Sequence, residues 1–372
     1  MANFTNVINF SKESKDLFEA IKSYASDYIK ERRYNFSGVD DEVKKKLINK
    51  EFLSELSRRS GMDLMNTENM DRVAIKRLSS NPSVIYFANE IRDDMIDTIL
   101  PMVMDNSGIK AFADVKYADL GDTIKFDMKS NGLFHVSTAG ERKRHGELQK
   151  SYNGTETMVG VNHTVTVGTT LYEVLTGESY IAEELVKVAI SIENQMLVDV
   201  YNAFATEVAN LPASPNTTPL KATGTVSEVQ ALEIAQRVQA YNDGVKPVFV
   251  GTSVALKKLI PDTTGGRYDF ESDFVKVGYL RVFNDYGVIP LDQVANPSAN
   301  SSTSGYNVLL PNNQIYILTP TTDKIVKLGI FGGTYTEQDN RPNANNSMLT
   351  TTNKHWEAKV CTNSICGLLS YS

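Results

Sequence analysis

The longest helical pattern in the chain is SYIAEELVKVAISIENQMLVDVYNAFATEVAN, residues 179–210. Its apolar side chains recur every three to four residues, so they lie along one side of a helix. They are Ile181, Leu185, Val188, Ile192, Met196, Val200, Phe204 and Val208. The stretch predicts a helix of about 45 Å that ends before Pro212. We expect this helix to act as a spine on which other units pack.

Two stretches that precede the spine have the alternation of β-strands. They are DTIKFDM, residues 122–128, and VGVNHTVTVG, residues 159–168. Between them lies HVSTAGERKRHGELQKSYNG, residues 135–154, which carries a dense charge cluster. The pattern predicts a long two-stranded ribbon that projects, with the charged stretch at its far end. Such a ribbon is not stable alone, so we expect it to lie on another surface.

The N-terminal part of the chain is helix-forming and charge-dense. Residues 17–33 and 39–61 each give a narrow apolar stripe at helical spacing. Two interpretations remain open: a helical subdomain that packs on its own chain, or an arm that reaches a neighbouring subunit. After Asn81-Pro82 breaks the pattern, residues 84–105 predict an amphipathic helix that ends or kinks before Pro101.

Two carboxylates on this last helix, Asp93 and Asp97, lie one turn apart. Their spacing would suit a pair of metal ligands, but no histidine is close to them in the sequence. We expect them on a solvated helix face.

The part that follows the spine alternates helices and strands. Ser227 and Gln230 predict a capping box at a helix start, and KPVFVG, residues 246–251, predicts a short buried strand. NQIYILTP, DKIVKLGIFGG and the final HWEAKVCTNSICGLLSYS, residues 355–372, also have strand character. The fold class is therefore predicted to be α+β, without an internal repeat.

Composition excludes several classes of protein. The 372 residues carry a net charge of −7 with 22% charged and 41% hydrophobic residues, as in an ordinary folded protein without a basic nucleic-acid-binding domain. No apolar run reaches the ~18 residues of a membrane span, and the first residues lack the pattern of a secretory signal. Cys361 and Cys366 have a spacing that fits no common metal motif. We expect them to be buried and reduced.

The sequence contains no recognisable catalytic fingerprint. Phosphate loops, dinucleotide loops, zinc-protease motifs and nucleophile elbows are all absent. The four histidines, His135, His145, His163 and His355, are scattered, and the glycine-rich DTTGGR at residues 262–267 predicts a flexible loop. We therefore expect a protein that is not an enzyme and that has no catalytic residue, cofactor or metal site.

Taken together, the helical arm, β-ribbon, long spine helix, α+β unit and closing strands follow a familiar order. This order resembles the major capsid protein of tailed double-stranded DNA phages, the Hong Kong ninety-seven fold, over essentially the whole chain. The local phrases most similar to the family are KPVFVGTSVALKKLIPD, VGYLRVFNDYGVIPLDQ and NQIYILTPTTDKIVKLGIFGG. The resemblance implies five parts: a helical N-terminal arm and lead-in (1–109), an extended E-loop β-ribbon (110–175), the spine helix of the peripheral domain (176–224), an axial domain (225–333) and returning strands of the peripheral domain (334–372).

The resemblance also implies a function. Such a subunit self-assembles into hexamers and pentamers of an icosahedral or prolate shell, which encloses double-stranded DNA without sequence-specific binding and without a membrane. Scaffold, portal and decoration proteins are possible partners. The expected location is the virion, after assembly in the host bacterial cytoplasm. We also expect the mature subunit to begin at Met1.

The charged stretch then becomes the far end of the E-loop. We expect it to contact acidic groups of an adjacent subunit, because the middle of the chain is otherwise acidic. The residues predicted for this contact are Arg142, Lys143, Arg144, His145, Glu147 and Lys150.

Three alternatives stay open. An encapsulin-type nanocompartment shell has the same Hong Kong ninety-seven fold, but the long arm and the extended ribbon make this alternative less favoured. A phage tail or baseplate protein would form rings or tubes. An α/β enzyme built on the third unit is the least favoured, since no nucleophile, base and orienting group can be named for it.

Overall fold

The computed structural model describes most of the chain. The described residues are 12–34, 41–65, 71–106, 113–128, 134, 136, 138, 148–150, 153–168, 171–177, 179–209, 211, 219–259, 279–291, 293, 308, 310–320, 324–338, 350–362 and 364–371.

The N-terminal part forms helices that pack on the chain's own core. They are α1 (Lys12–Tyr34), α2 (Asp41–Ser60), α3 (Arg72–Ser79) and α4 (Pro82–Asn106). The apolar stripes of α1 and α2, which include the fully buried Ile21 and Phe52, lie against α4. The described part of the predicted arm therefore covers its own subunit, as in the subdomain interpretation.

The sequence predicts that helix α4 either ends or kinks before Pro101. The helix does not end there. It continues through this proline to Asn106. Pro101 cannot donate a hydrogen bond to the preceding turn, but Val103 and Met104 beyond it are completely buried. The burial of this last turn offsets the missing hydrogen bond.

The predicted spine is confirmed. After the short helix α5 (Leu171–Thr176), helix α6 (Ile181–Ala209) runs for 29 residues. All eight apolar residues expected on one side are buried. Helix α6 packs against α4, α2 and α1, so the apolar side of the spine and the N-terminal helices share one core.

Several of the described strands were expected from alternation or from short apolar runs, whereas those at residues 113–118, 154–158, 221–224, 282–283 and 286–291 were not predicted. In chain order the described strands are β1 (Ala113–Ala118), β2 (Ile124–Met128), β3 (Gly154–Met158), β4 (Val161–Val167), β5 (Lys221–Gly224), β6 (Val248–Thr252), β7 (Val282–Phe283), β8 (Tyr286–Leu291), β9 (Gln314–Leu318), β10 (Val326–Gln338), β11 (Thr350–Val360) and β12 (Gly367–Tyr371). The mixture of packed helices and these strands confirms the α+β class.

A four-stranded sheet with the order β1-β10-β11-β4 lies against α4 and α6. Strand β1 is parallel to β10, and the other pairs are antiparallel. Apolar side chains of β10 and β11, among them Leu328, Ile330 and Trp356, enter the shared core. The sheet therefore fixes the spine from one side.

Strands β2 and β3 form the antiparallel base of the predicted ribbon, with Ile124 opposite Met158. Strand β4, the expected returning arm, instead pairs with β11. Val165 and Val167 of β4 pack against the shared core, and this burial favours the sheet over a free ribbon.

The ribbon base lies on the outer face of the four-stranded sheet. Ile124, Phe126 and Met158 pack there against Phe331 and Cys361. Gly329 permits the close approach, since a Cβ atom at this position would lie 3.1 Å from Ile124 Cδ1. As expected, the described base of the ribbon lies on another surface.

A six-stranded sheet with the order β5-β12-β9-β6-β8-β7 forms the second unit, together with α7 (Glu228–Tyr241) and α8 (Ser253–Leu256). The predicted capping box is present: the Gln230 amide N–H donates to Ser227 Oγ at 3.3 Å, and the Ser227 N–H donates to Gln230 Oε1 at 3.2 Å. This second unit has a core of its own.

The two units meet at the spine. The hydroxyl groups of Tyr201 on α6 and Tyr316 on β9 are 2.8 Å apart, and the rings of Phe204 and Tyr316 pack edge-on. The final stretch forms two strands, β11 in one sheet and β12 in the other. The division of the chain into five parts stays a prediction.

Candidate assembly surfaces

The residues predicted to contact a neighbouring subunit lie mostly outside the described residues. Of the six, only Lys150 is described, and it is exposed. The other five lie outside the described residues: Arg142, Lys143, Arg144, His145 and Glu147. The contact of these six residues with a neighbouring subunit therefore stays a prediction.

The same part of the chain carries exposed apolar side chains. Phe134, Val136 and Leu148 are 61%, 89% and 88% exposed. Large apolar side chains that stay uncovered on one segment are typical of a surface that another molecule buries. These apolar residues are visible in the sequence, but the predicted contact was based on the neighbouring charged residues alone.

An acidic groove of about 540 Å³ runs between the C-terminal half of α6 and the strands β4 and β11. Asp199 and Glu207 line its helical side, and neither forms an ion pair with any described residue. On the strand side, Lys359 pairs with Glu357 at 3.1 Å, which neutralises that carboxylate. The groove therefore has net negative charge and would attract cationic side chains.

Trp356 forms part of the groove wall and ties the sheet to the spine. Its ring is stacked on His163 with 3.7 Å between the centroids, and its Nε1–H donates to Asp199 Oδ2 at 2.8 Å. Burial lowers the pKa of His163, although the nearby Asp199 charge opposes this shift. His163 therefore packs as a neutral ring within its strand.

Asp93 and Asp97 face strand β10 rather than open solvent, so the prediction of a solvated face is wrong. Asp97 accepts hydrogen bonds from the Thr334 N–H at 2.9 Å and from Lys354 Nζ at 2.8 Å. Asp93 accepts one from the Thr336 N–H at 3.0 Å. The helical spacing correctly places Asp93 and Asp97 on the same side of the helix. Nothing local in the sequence shows that this side lies beside a sheet edge.

Burial changes the proton affinity of several groups in this region. It raises the pKa of Asp93 to about 7, against the opposing effect of its Thr336 hydrogen bonds, and Asp97 and Asp94 raise it further. Burial also raises the pKa of Asp94 to about 6, against the opposing charge of Arg59.

Cys361 and Cys366 are free and buried, as predicted. Burial raises the pKa of each thiol to about 11, so neither is a reactive thiolate near neutral pH.

Two other features, a metal-binding cluster and a membrane-spanning helix, are absent from the described residues. Within the part of the chain that the structure describes, no group of three or more His, Cys, Asp or Glu side chains could hold a metal ion. Among the described helices, none combines the length and apolar character needed to cross a bilayer.

Comparison with solved structures gives likenesses to virus and phage particles. One is "Capsid of native GTA particle computed with C5 symmetry", with 10% identity over 72% of this chain and 90% of that chain and a TM-score of 0.47. Another is "Mycobacterium phage Ogopogo", with 12% identity over 71% of this chain and 91% of that chain and a TM-score of 0.45. A third is "Crystal structure of virus-like particle from Pyrococcus furiosus", with 9% identity over 74% of this chain and 98% of that chain and a TM-score of 0.43. No curated protein matches the sequence.

A family model matches residues 35–370, which is well over half of the chain. Its description is "SPbeta prophage-derived putative capsid protein YonB". The match confirms the prediction of a phage capsid protein, and the described spine helix, ribbon base and closing strands are among the elements that the Hong Kong ninety-seven resemblance implies. The chain therefore belongs to the YonB family of prophage-derived capsid proteins.

Proposed function

We propose that this protein is the major head protein of its particle and that it self-assembles into hexamers and pentamers of an icosahedral or prolate shell around double-stranded DNA. The family match over residues 35–370 is the observation that carries this proposal. The exposed apolar residues Phe134, Val136 and Leu148 support it, because a monomer would leave them in water.

The net charge of −7 is consistent with a container. A shell of this charge encloses DNA without gripping it through a basic domain. We propose a structural protein rather than an enzyme, located in the virion after assembly in the host cytoplasm. Scaffold, portal and decoration proteins are its proposed partners.

We further propose that the basic stretch of one subunit contacts the acidic groove of the next. Arg142, Lys143 and Arg144 supply three positive charges, and Asp199 and Glu207 offer carboxylates without a described cationic partner. Each exposed pair contributes only about 0.2–1 kcal/mol. The contribution is repeated at every subunit contact of the shell, so its sum affects particle stability.

Replacing Arg142, Lys143 and Arg144 together with Ala is expected to lower particle yield and to make the particles dissociate at lower urea concentration. The measurement is sedimentation of particles across a urea series. A control with equal charge loss replaces the exposed Arg72, Lys76 and Arg77 of α3 with Ala. Wild-type yield and stability in the first variant would contradict the contact.

Electron microscopy of the purified full-length protein tests the function itself. We expect closed shells, and we expect particles isolated from infected or induced cells to contain DNA. Shells that hold a protein cargo instead of DNA would indicate the encapsulin-type alternative. Open rings or tubes would indicate a tail or baseplate protein, and persistent monomers would contradict all three structural functions.

A further inference from the structure

Strand β10 has an inner and an outer half with different surroundings. Residues Val326–Phe331 pair with β1 on one side and with β11 on the other. A register shift follows, where Gly332 takes a φ of +62°. Tyr335–Gln338 then pair with β11 alone. Among the described strands, none therefore covers the second edge of this outer half.

Helix α4 supplies the acceptors that a strand would have offered. Asp97 and Asp93 are one helical turn apart and bind the amides of Thr334 and Thr336, which are two residues apart on the strand. The edge amides of β10 are thus satisfied by side chains rather than by a neighbouring backbone. The helix holds the outer half of the strand through two carboxyl groups.

The two carboxyl groups differ in the partners that stabilise their negative charge. Asp97 Oδ1 accepts from the buried Lys354 ammonium. Asp93 forms no ion pair with any described residue, and its Oδ1 is buried without a hydrogen-bond partner. A buried carboxylate that lacks a cation is destabilised relative to its uncharged form. Asp93 is therefore the member of the pair whose charge is poorly tolerated.

The other charged groups here do not neutralise Asp93. On the elements packed at this site they are Glu90, Arg92, Asp94 and Asp97 of α4, Arg59 of α2, Glu184 of α6, Tyr335 and Glu337 of β10, and Lys354 of β11. The cations have other partners: Lys354 binds Asp97, Arg92 lies 3.8 Å from Glu184, and Arg59 binds Glu55 at 2.8 Å. The charges of Asp97 and Asp94 act on Asp93, and both repel its ionised form.

We propose that Asp93 is a proton-operated latch on the outer half of β10: the uncharged carboxyl holds Thr336 against α4, and ionisation favours an open arrangement in which the carboxylate is hydrated. This inference does not depend on the shell function proposed above.

The direction of the pH effect follows from the raised pKa. Asp93 holds its proton in the folded state up to a pH of about 7, whereas an unfolded Asp releases it near pH 3.9. The folded state binds more protons between these values, so stability is highest at low pH and is lost as the pH rises towards 7. The pKa of Asp94 is also raised, to about 6, so its effect on stability has the same sign but ends at a lower pH. The latch is therefore held most strongly in mild acid and most weakly above a pH of about 7.

Hydrogen exchange of the full-length, unassembled subunit tests the latch. The measured quantity is the protection factor of peptides that cover Thr334–Gln338, corrected for the intrinsic pH dependence of exchange. We expect it to rise about tenfold in the wild type between pH 8 and pH 6, as one pKa unit corresponds to tenfold. In Asp93→Asn, whose amide cannot ionise and still accepts from Thr336, we expect high protection at both pH values.

The exposed Asp119 provides the matched control. Asp119→Asn should keep the tenfold rise of the wild type. The latch is refuted if Asp93→Asn keeps that rise too, or if its protection at pH 8 does not exceed the wild-type value. A variant Asp93→Asn that fails to fold would also refute it, because the proposal requires this substitution to stabilise the contact at pH 8.

Discussion

Replacing Asp97 with Ala is expected to lower the free energy of unfolding by about 3–5 kcal/mol, the usual cost of leaving one partner of a buried ion pair alone. The Lys354 side chain is only 6% exposed, and its ammonium binds Asp97 Oδ1 and the Gly332 carbonyl oxygen. Without Asp97, this cation keeps a single acceptor. The Thr334 amide loses its acceptor as well.

Removing the other partner is expected to cost much less. In Lys354→Met the stem of the side chain is kept, and Asp97, which is 35% exposed, retains its two Thr334 donors and access to water. The double variant Asp97→Ala, Lys354→Met should then be more stable than Asp97→Ala alone, since no buried ammonium remains. Urea denaturation of the unassembled subunit measures all three variants. Equal losses in both single variants would contradict the asymmetry.

Replacing Trp356 with Ala is expected to cost about 3–5 kcal/mol, as is typical of large aromatic residues in a packed core. Trp356 is 1% exposed and joins three elements, because it stacks on His163 of β4, lies within β11 and donates to Asp199 of α6. The substitution leaves a cavity between the sheet and the spine. It also exposes His163, whose pKa should rise from its lowered value.

Trp356→Phe separates these effects. The phenyl ring keeps most of the packing but loses the indole N–H, so we expect a smaller loss of about 1–3 kcal/mol. Asp199 would retain the Gln195 amide as a donor at 2.9 Å. Urea denaturation gives the stabilities, and NMR titration of His163 gives its pKa. An unchanged His163 pKa in Trp356→Ala would show that the stacked ring does not control its hydration.

The spine was predictable because its information is local. Eight apolar residues at helical spacing define one face whatever lies beside it, and all eight are buried. The first strand of the ribbon base was predictable for the same reason, since Ile124 and Phe126 alternate with polar neighbours, whereas its partner β3 was not predicted. The capping box at Ser227 and Gln230 likewise needs only residues three apart.

The features that were missed depend on distant partners. Strand β4 has the alternation of a ribbon strand, and only its pairing with β11 shows that it belongs to the four-stranded sheet. Asp93 and Asp97 look like solvated residues until Thr334 and Thr336 are placed beside them.

Trp356 did carry a local signal. It is the only tryptophan of the chain and stands in an alternating strand. A buried indole usually finds an acceptor for its N–H, so a polar partner such as Asp199 could have been anticipated, although its identity could not.

The order of the four-stranded sheet also determines how the chain acquires its structure during synthesis. Its two central strands, β10 and β11, are neighbours in sequence, whereas Ala113 of β1 pairs with Val326 and Thr166 of β4 pairs with Thr351. Both edge strands leave the ribosome long before their partners exist. Distant pairings of this kind fold slowly, and the waiting apolar segments are exposed to aggregation. We expect the late pairing of β10 with β11 to end this exposure, because it supplies both edge strands with their partners.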